Sequence, residues 1–224
     1  MNQGKFGICA FCGKPAIVTD DHVPPRNIFP SPQPNDVNLT TVPSCIKCNG
    51  GSSTDDEQFK IYIALKSGIE GEVSLKLLES ARRTVIRNKK IRKQISDNFP
   101  LFLPSSTPSV FEKQYIHKFN PAPIRRIGRK IIKGLYFKHF GECLEGNAKV
   151  SLYLSEDLKM HHIITAEKLA KDTRKYGEYY EIGKNQEFRY TFARTENKFT
   201  SSWVLMFNNR CAMIGITIPI NSTQ

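Results

Sequence analysis

The sequence predicts an α+β fold in which a small N-terminal module is followed by a basic helical segment and a mixed α/β region with antiparallel strands. Three observations lead to this prediction: two C-x-x-C pairs within the first 48 residues, two strongly basic helix patterns between residues 72 and 139, and several short alternating apolar runs near the C-terminus. Because a turn-rich pattern gives way to helical periodicity near residue 68, we expect one domain over residues 1–68 and a second over residues 69–224.

Cysteines define the N-terminal module. They occur as Cys9-x-x-Cys12 and Cys45-x-x-Cys48, and two such pairs can present four thiolates to one tetrahedral zinc ion. The sequence begins without the apolar stretch of a secretory signal, so this spacing favours zinc in a reducing, cytoplasmic compartment over disulfide bonds. The two remaining cysteines stand alone and are expected to be small buried side chains.

Two short strands and a helix are expected around the cysteine pairs. Residues 17–19 and 39–42 have strand character, and the first run ends at Asp21-His22. Prolines at positions 24, 25, 30, 32 and 34 keep the connection between the two runs extended. A helix is predicted over 53–68, because hydroxyl residues precede three acids in its first turn.

Two further helices carry much of the positive charge. An apolar stripe at four-residue steps predicts one helix over 72–95, and Pro123 opens another that runs to residue 139 before Gly141. A proline-rich loop over 100–108 separates them. We expect the basic residues of both helices to bind nucleic acid: Arg82, Arg83, Arg87, Lys89 and Lys90 on the first, and Arg125, Arg126, Arg129 and Lys130 on the second.

The C-terminal region is predicted to be mainly β-structure. Strand patterns occur over 150–154, 187–194, 201–207 and 211–218, with one helix over 166–176. Asn208-Asn209 lies between the last two strands, where a tight hairpin turn favours residues that tolerate positive φ. No chemical motif marks this region, so we expect it to bind the target, a partner protein, or a second copy of the chain in a homodimer.

Net charge indicates the class of partner. The chain has a formal net charge of +12, while its first 60 residues are close to neutral, so the excess lies in the helical and C-terminal regions. Such an excess favours a polyanion, because cationic side chains that contact phosphates release condensed counterions. The sequence lacks a run of about 18 apolar residues, and we therefore expect no membrane-spanning helix.

Taken together, the motifs of the N-terminal module resemble the HNH endonucleases, a family built on a ββα-metal core. The resemblance covers residues 9–60. It rests on the two cysteine pairs, on Asp21-His22 between them, on Asn38 before the second strand, and on Asn49 directly after the second pair. The family's fold implies that one cysteine pair precedes the first strand and that the other opens the helix.

This resemblance implies a hydrolase that cuts phosphodiester bonds, with double-stranded DNA as the expected substrate. His22 would activate water, because imidazole exchanges protons near neutral pH. Asp21 and Asn49 would hold one Mg²⁺ or Mn²⁺ ion through oxygen, and Asn38 would orient the loop that carries His22. Asn49 stands where the family name has a histidine, and its amide oxygen favours these hard cations. Nucleases of this kind occur in restriction, phage defence, mobile elements and phage packaging, and the sequence does not choose among these roles.

Two other interpretations of the cysteine pairs remain. A zinc-ribbon module that binds nucleic acid without catalysis explains the cysteines and the charge, but it leaves Asp21-His22 without a role. A zinc deaminase also uses a C-x-x-C pair, yet it needs a His-x-Glu sequence and a zinc ion open to water. Here His22 is followed by Val23-Pro24, and four thiolates would close the zinc site. HNH-type hydrolysis is therefore the leading hypothesis, and the zinc ribbon is its alternative.

Overall fold

A computed structural model describes residues 5–29, 39–51, 53–98, 120–157, 160–183 and 185–220. Within these ranges the chain is a mixed α+β structure with six α-helices and two antiparallel sheets, which confirms the predicted α+β class. Asn38, predicted to orient the loop that carries His22, lies outside the described residues, and so does the predicted loop over 100–108.

The N-terminal module is built on a three-stranded antiparallel sheet of order β1-β2-β3. Its elements are β1 (Lys5–Ile8), β2 (Pro15–His22), β3 (Thr41–Cys45), and the helices α1 (Ile46–Gly50) and α2 (Ser53–Ser67). In the β2–β3 register Val18 lies opposite Cys45, and His22 lies opposite Thr41. Two paired strands and a helix therefore follow one another as expected, and Asp21 falls at the end of the central strand.

The predicted single helix over 72–95 is divided into two, α3 (Glu72–Arg87) and α4 (Lys89–Asn98). Asn88 separates them with an extended backbone at φ −96° and ψ 98°. Its side chain accepts hydrogen bonds from the backbone N–H groups of Lys90 at 3.1 Å and Ile91 at 3.2 Å. Asparagine is a preferred N-cap residue. Helix α4 therefore begins here, because the Asn88 side chain accepts from first-turn N–H groups that have no acceptor within the helix.

Helix α5 (Pro121–Phe140) lies between the N-terminal module and the second sheet. Two glycines let it approach both neighbours closely. A Cβ atom at Gly134 would lie 2.7 Å from the Val23 side chain of the module, and one at Gly128 would lie 2.3 Å from the Leu152 side chain of the sheet. Larger residues at these two positions would push the helix away from one neighbour or the other.

The second sheet has five antiparallel strands in the order β4-β8-β7-β6-β5. They are β4 (Ala148–Leu154), β5 (Glu178–Ile182), β6 (Phe188–Arg194), β7 (Ser201–Phe207) and β8 (Cys211–Pro219). Different helices cover its two faces. The Trp203 ring is 6.5 Å from the Tyr136 ring of α5, while the adjacent Ser202 hydroxyl is 2.7 Å from the Thr173 hydroxyl of α6 (Met160–Tyr176).

Caps and turns match the sequence prediction in part. Gly141 ends α5 in the left-handed conformation, at φ +67°, and Asn208 and Asn209 have φ of +46° and +59° in the predicted hairpin turn. Two helices begin earlier than predicted. Helix α5 begins at residue 121, because the Asn120 side chain accepts from a first-turn backbone N–H at 3.0 Å, and α6 begins at residue 160 rather than 166.

One hydrophobic core runs through the described residues. It includes Val23 and Phe59 of the N-terminal module, Ile131 of α5, and Trp203 and Phe207 of the second sheet. The Phe59 and Phe207 rings meet edge to face at 5.5 Å. Residues from both sides of position 68 therefore pack in the same core. The division into two domains at this position stays a prediction. No helix in the described ranges combines the length and apolar character needed to cross a bilayer.

Candidate functional site

Four thiols meet at one edge of the N-terminal module. The Sγ atoms of Cys9, Cys12, Cys45 and Cys48 all lie within 4.8 Å of one another, and those of Cys12 and Cys45 are 4.0 Å apart. In a tetrahedral zinc site with bonds of about 2.3 Å, the sulfurs lie about 3.8 Å apart. The predicted cluster is thus confirmed as a group that could hold a metal ion, and its donor set and spacing fit structural zinc.

Backbone turns and hydrogen bonds position the two segments that carry the cysteine pairs. The first pair lies in a turn that Gly13 closes at φ +69°, with its N–H donating to the Cys9 carbonyl at 2.9 Å. The second pair joins the end of β3 to α1, with Cys45 at the N-cap position. The Ala10 N–H donates to the Pro43 carbonyl at 2.8 Å and ties the two sides together.

Ionisation of the thiols differs within the cluster. Burial opposes ionisation of Cys9, but backbone N–H donors, led by that of Cys45, outweigh it and lower the pKa of this thiol to about 7. Burial raises the pKa of the Cys48 thiol. Zinc binds thiolates, so a bound ion would hold all four sulfurs deprotonated, and its uptake would release protons.

A fifth cysteine lies beside the cluster without belonging to it. The Cys143 Sγ donates to the Ala10 carbonyl oxygen at 3.4 Å, in the first turn of the module. Burial raises the pKa of this thiol, so it behaves as a packed neutral side chain. Cys143 therefore offers an internal comparison for any change made to the four clustered cysteines.

Asp21 is held by a residue from a distant helix. Its carboxylate is 2.8 Å from the Lys130 Nζ of α5, and the two side chains are only 13% and 19% exposed. The same Nζ lies 5.0 Å from the centroid of the Phe11 ring, within the first cysteine pair. The low exposure keeps water away from this ion pair, so the attraction between its two charges is screened less than in a pair on the open surface.

Asn49 lies on the same face of β2 as Asp21. Its amide Nδ2 donates to the Thr19 Oγ1 at 3.0 Å, and Thr19 is two residues from Asp21 on the strand, so both side chains point to one side. With Nδ2 committed to Thr19, the Asn49 carbonyl oxygen remains as the ligand atom. Two of the predicted metal ligands are thus on one face, beside the cysteine cluster.

His22 is the last residue of β2 and is half-buried. Within the described residues its ring makes no hydrogen bond. Strand alternation directs His22 away from the face that carries Asp21, so the two side chains could approach each other only at the strand end, where the chain turns. The predicted roles of these residues, and that of Asn38, stay predictions.

Several cations predicted to bind nucleic acid contact acids of the chain itself. Arg126 makes two hydrogen bonds to Asp55, at 2.6 and 2.8 Å, and Arg125 pairs with Asp157. On α3, Arg83 pairs with Glu79 at 3.2 Å and Arg87 with Glu57 at 3.8 Å. Over the ranges that the structure describes, the predicted cations that are exposed and lack such a pair are Arg82, Lys89, Lys90 and Arg129.

The contact that sequence reasoning missed is the one between Lys130 and Asp21. Lys130 belongs to the same basic stretch of sequence as three arginines, and all four residues lie on α5. Nothing in a periodic pattern distinguishes a cation that faces solvent from one that reaches a carboxylate of another module. The only regularity in the sequence is the four-residue spacing of Arg126 and Lys130, which places both on one side of α5. In the structure both contact acids of the N-terminal module.

Comparison of the chain with protein family models, with curated protein sequences and with solved structures gave no match.

Proposed function

We propose that this protein is a metal-dependent endonuclease of the HNH type that hydrolyses phosphodiester bonds in DNA. The observation that supports the proposal best is the common placement of Asp21 and Asn49 on one face of β2, beside the four-cysteine cluster and next to His22. Carboxylate and amide oxygens are ligands that Mg²⁺ and Mn²⁺ prefer. A carboxylate and an amide thus lie on one face of β2, and the His22 imidazole belongs to the last residue of the same strand.

The donor set fits a hard divalent cation, with Lys130 as the competing group. A cation held by Asp21 and Asn49 would act as a Lewis acid toward a phosphate oxygen and the leaving 3′-oxygen. The Lys130 ammonium now neutralises the Asp21 carboxylate at 2.8 Å. Released from that pair, it would donate to a non-bridging phosphate oxygen and stabilise the charge that develops during hydrolysis.

His22 completes the proposed reaction by moving a proton. Its imidazole would accept a proton from water, so that hydroxide attacks the phosphorus atom and the 3′-oxygen departs. The zinc cluster takes no part in this chemistry, because four thiolates leave no open position for water. Its contribution would be to hold β2, β3 and α1 together, and so to fix the distances among His22, Asp21 and Asn49.

An Asp21 variant tests the proposed activity. Asp21→Asn is expected to weaken Mn²⁺ binding and to slow nicking of supercoiled plasmid by at least about 100-fold, because even indirect support of a metal ligand is worth 10- to 100-fold. Asp20→Asn is the matched control, since Asp20 is the exposed neighbour on the same strand. Equal nicking by both variants, or no metal-dependent nicking by the wild type, would overturn the proposal.

The exposed cations of α3 and α4 are proposed to contact DNA phosphates. Replacing Arg82, Lys89 and Lys90 with glutamine is expected to weaken DNA binding and to flatten its dependence on salt, by about one unit of slope for each cation that no longer neutralises a phosphate. The control removes three exposed cations of α6, Lys168, Lys171 and Lys175. If both triple variants give the wild-type slope, DNA does not bind along α3 and α4.

The alternative function is a zinc-ribbon module that binds nucleic acid without cutting it. The Lys130–Asp21 ion pair favours it, because a carboxylate already neutralised by a lysine is a weaker ligand for a cation. This alternative predicts saturable DNA binding that does not change when Mg²⁺ or Mn²⁺ is added. Plasmid that stays supercoiled after incubation with zinc-loaded protein and either ion would support it.

A further inference from the structure

A cavity of about 630 Å³ opens between α5, strand β4 and α6, away from the proposed cleavage site. Its size falls within the range of about 300–1,000 Å³ that is usual for small-molecule sites. The cavity combines an apolar wall, formed by Ile214, Ile216 and Leu169, with polar groups at its rim. This combination of a wide apolar surface and a few polar groups is typical of a ligand site.

The rim of this cavity is positively charged. Arg129 and Lys149 line it, are exposed, and form no ion pair within the described residues. Arg125 lines it as well, but its charge is neutralised by Asp157, which also accepts from the Leu154 N–H at 2.9 Å. The cavity therefore keeps two available cations and no available acid among its lining residues.

Helix geometry separates this rim from the proposed cleavage site. Arg125 and Arg129 are four residues apart and share one stripe of α5, while Arg126 and Lys130 share the next stripe and contact Asp55 and Asp21. The two stripes are about 100° apart around the helix axis. Helix α5 thus directs one pair of cations to the cavity rim and another pair to the N-terminal module.

The outer face of β4 supplies the remaining groups. Alternation places Lys149, Ser151 and Tyr153 on the side of the strand that faces away from α5, and all three line the cavity. The Tyr153 side chain is 42% exposed, which leaves its ring accessible to a flat partner. Aromatic rings stack on nucleic-acid bases, and arginine and lysine bind phosphates.

We propose that this cavity binds one nucleotide unit, with its base against Tyr153 and the apolar wall and its phosphate between Arg129 and Lys149. The unit is either a free nucleotide or an unpaired nucleotide of a bound strand. This site goes beyond the proposed cleavage site and does not depend on it, because none of its residues contributes to metal binding or proton transfer there.

Calorimetric titration with mononucleotides and with a short single-stranded oligonucleotide, both without added divalent cation, tests the site. The double variant Arg129→Gln with Lys149→Gln is expected to weaken binding by about tenfold or more, since it removes two charge-assisted contacts. Ala166→Trp fills the cavity from α6 and keeps both cations, and it should weaken binding as well. Lys138→Gln with Lys168→Gln removes two exposed cations outside the cavity and should bind as the wild type does.

The outcomes separate the two sources of the ligand. Saturable binding of mononucleotides that both cavity variants weaken, and that inorganic phosphate competes with, supports a free nucleotide. Binding of the oligonucleotide alone, with the same response to the variants, supports an unpaired nucleotide of a strand. Absence of binding to either probe, or binding that neither cavity variant weakens, overturns the proposal. Circular dichroism of each variant confirms that the fold is retained.

Discussion

Replacing Cys45 with serine is expected to release zinc and to unfold the N-terminal module. The apparent binding free energy of a structural zinc ion is about 10–16 kcal/mol in small zinc modules, and it counts directly toward folding. Cys45 lies at the junction of β3 and α1, opposite Val18, so its replacement would free both elements from the first cysteine pair. Because Phe59 of α2 packs against Phe207, part of the second sheet should be destabilised as well.

Zinc content and thermal unfolding of the purified protein measure this effect. The wild type should carry about one zinc ion per chain, and Cys45→Ser should carry almost none and melt at a clearly lower temperature. Cys143→Ser is the matched control, since its sulfur contacts the same turn through the Ala10 carbonyl but lies outside the cluster. If Cys45→Ser kept its zinc, or if Cys143→Ser lost it, the assignment of the four ligands would be wrong.

Local features of this chain were predictable because they depend on neighbours in sequence. The cysteine pairs, the glycine stop at Gly141 and the hairpin turn at Asn208-Asn209 are all found where the sequence predicted them. Each rests on a requirement that few residue types meet: thiolate spacing for a metal ion, or positive φ for a turn. The C-terminal strand over 201–207 was predictable for a similar reason, namely a continuous apolar run between turns.

Two features of the helices were not predictable, for different physical reasons. The break at Asn88 was missed because the apolar stripe continues across it, and only the capping role of one side chain reveals that the helix restarts. The ion pairs of α5 were missed because they join residues far apart in sequence. A basic run has the same pattern whether its cations face solvent or, like Arg126 and Lys130, meet Asp55 and Asp21.

Those ion pairs change how the basic surface is understood. The sequence predicts nucleic-acid binding along the length of α5, but the described structure gives two of its four predicted cations partners in the N-terminal module. We infer that α5 mainly fixes this module against the second sheet, with Gly134 and Gly128 allowing the close approach. Among the predicted cations in the described ranges, those that are exposed and lack an acidic partner are Arg129 at the cavity and Arg82, Lys89 and Lys90 on α3 and α4, so they lie in two places rather than along one helix.

Replacing His22 with alanine is expected to lower the rate of plasmid cleavage by about 10²- to 10⁴-fold, the usual contribution of a positioned general base. Zinc content, Mn²⁺ affinity and melting temperature should stay close to those of the wild type. His22 is half-buried at the end of β2 and lies outside both the cysteine cluster and the Asp21–Lys130 pair, so its truncation leaves these contacts in place.

The variant Thr41→Ala is the control that distinguishes a chemical role of His22 from a structural role in the sheet. Thr41 lies directly opposite His22 across the β2–β3 pair, so both side chains occupy the same face at the same strand end. Its truncation should disturb local packing to a similar degree and leave cleavage within a few-fold of the wild-type rate. If His22→Ala cleaved as fast as Thr41→Ala, a different group would have to activate the water. Loss of both cleavage and zinc in His22→Ala would instead make the histidine a structural residue.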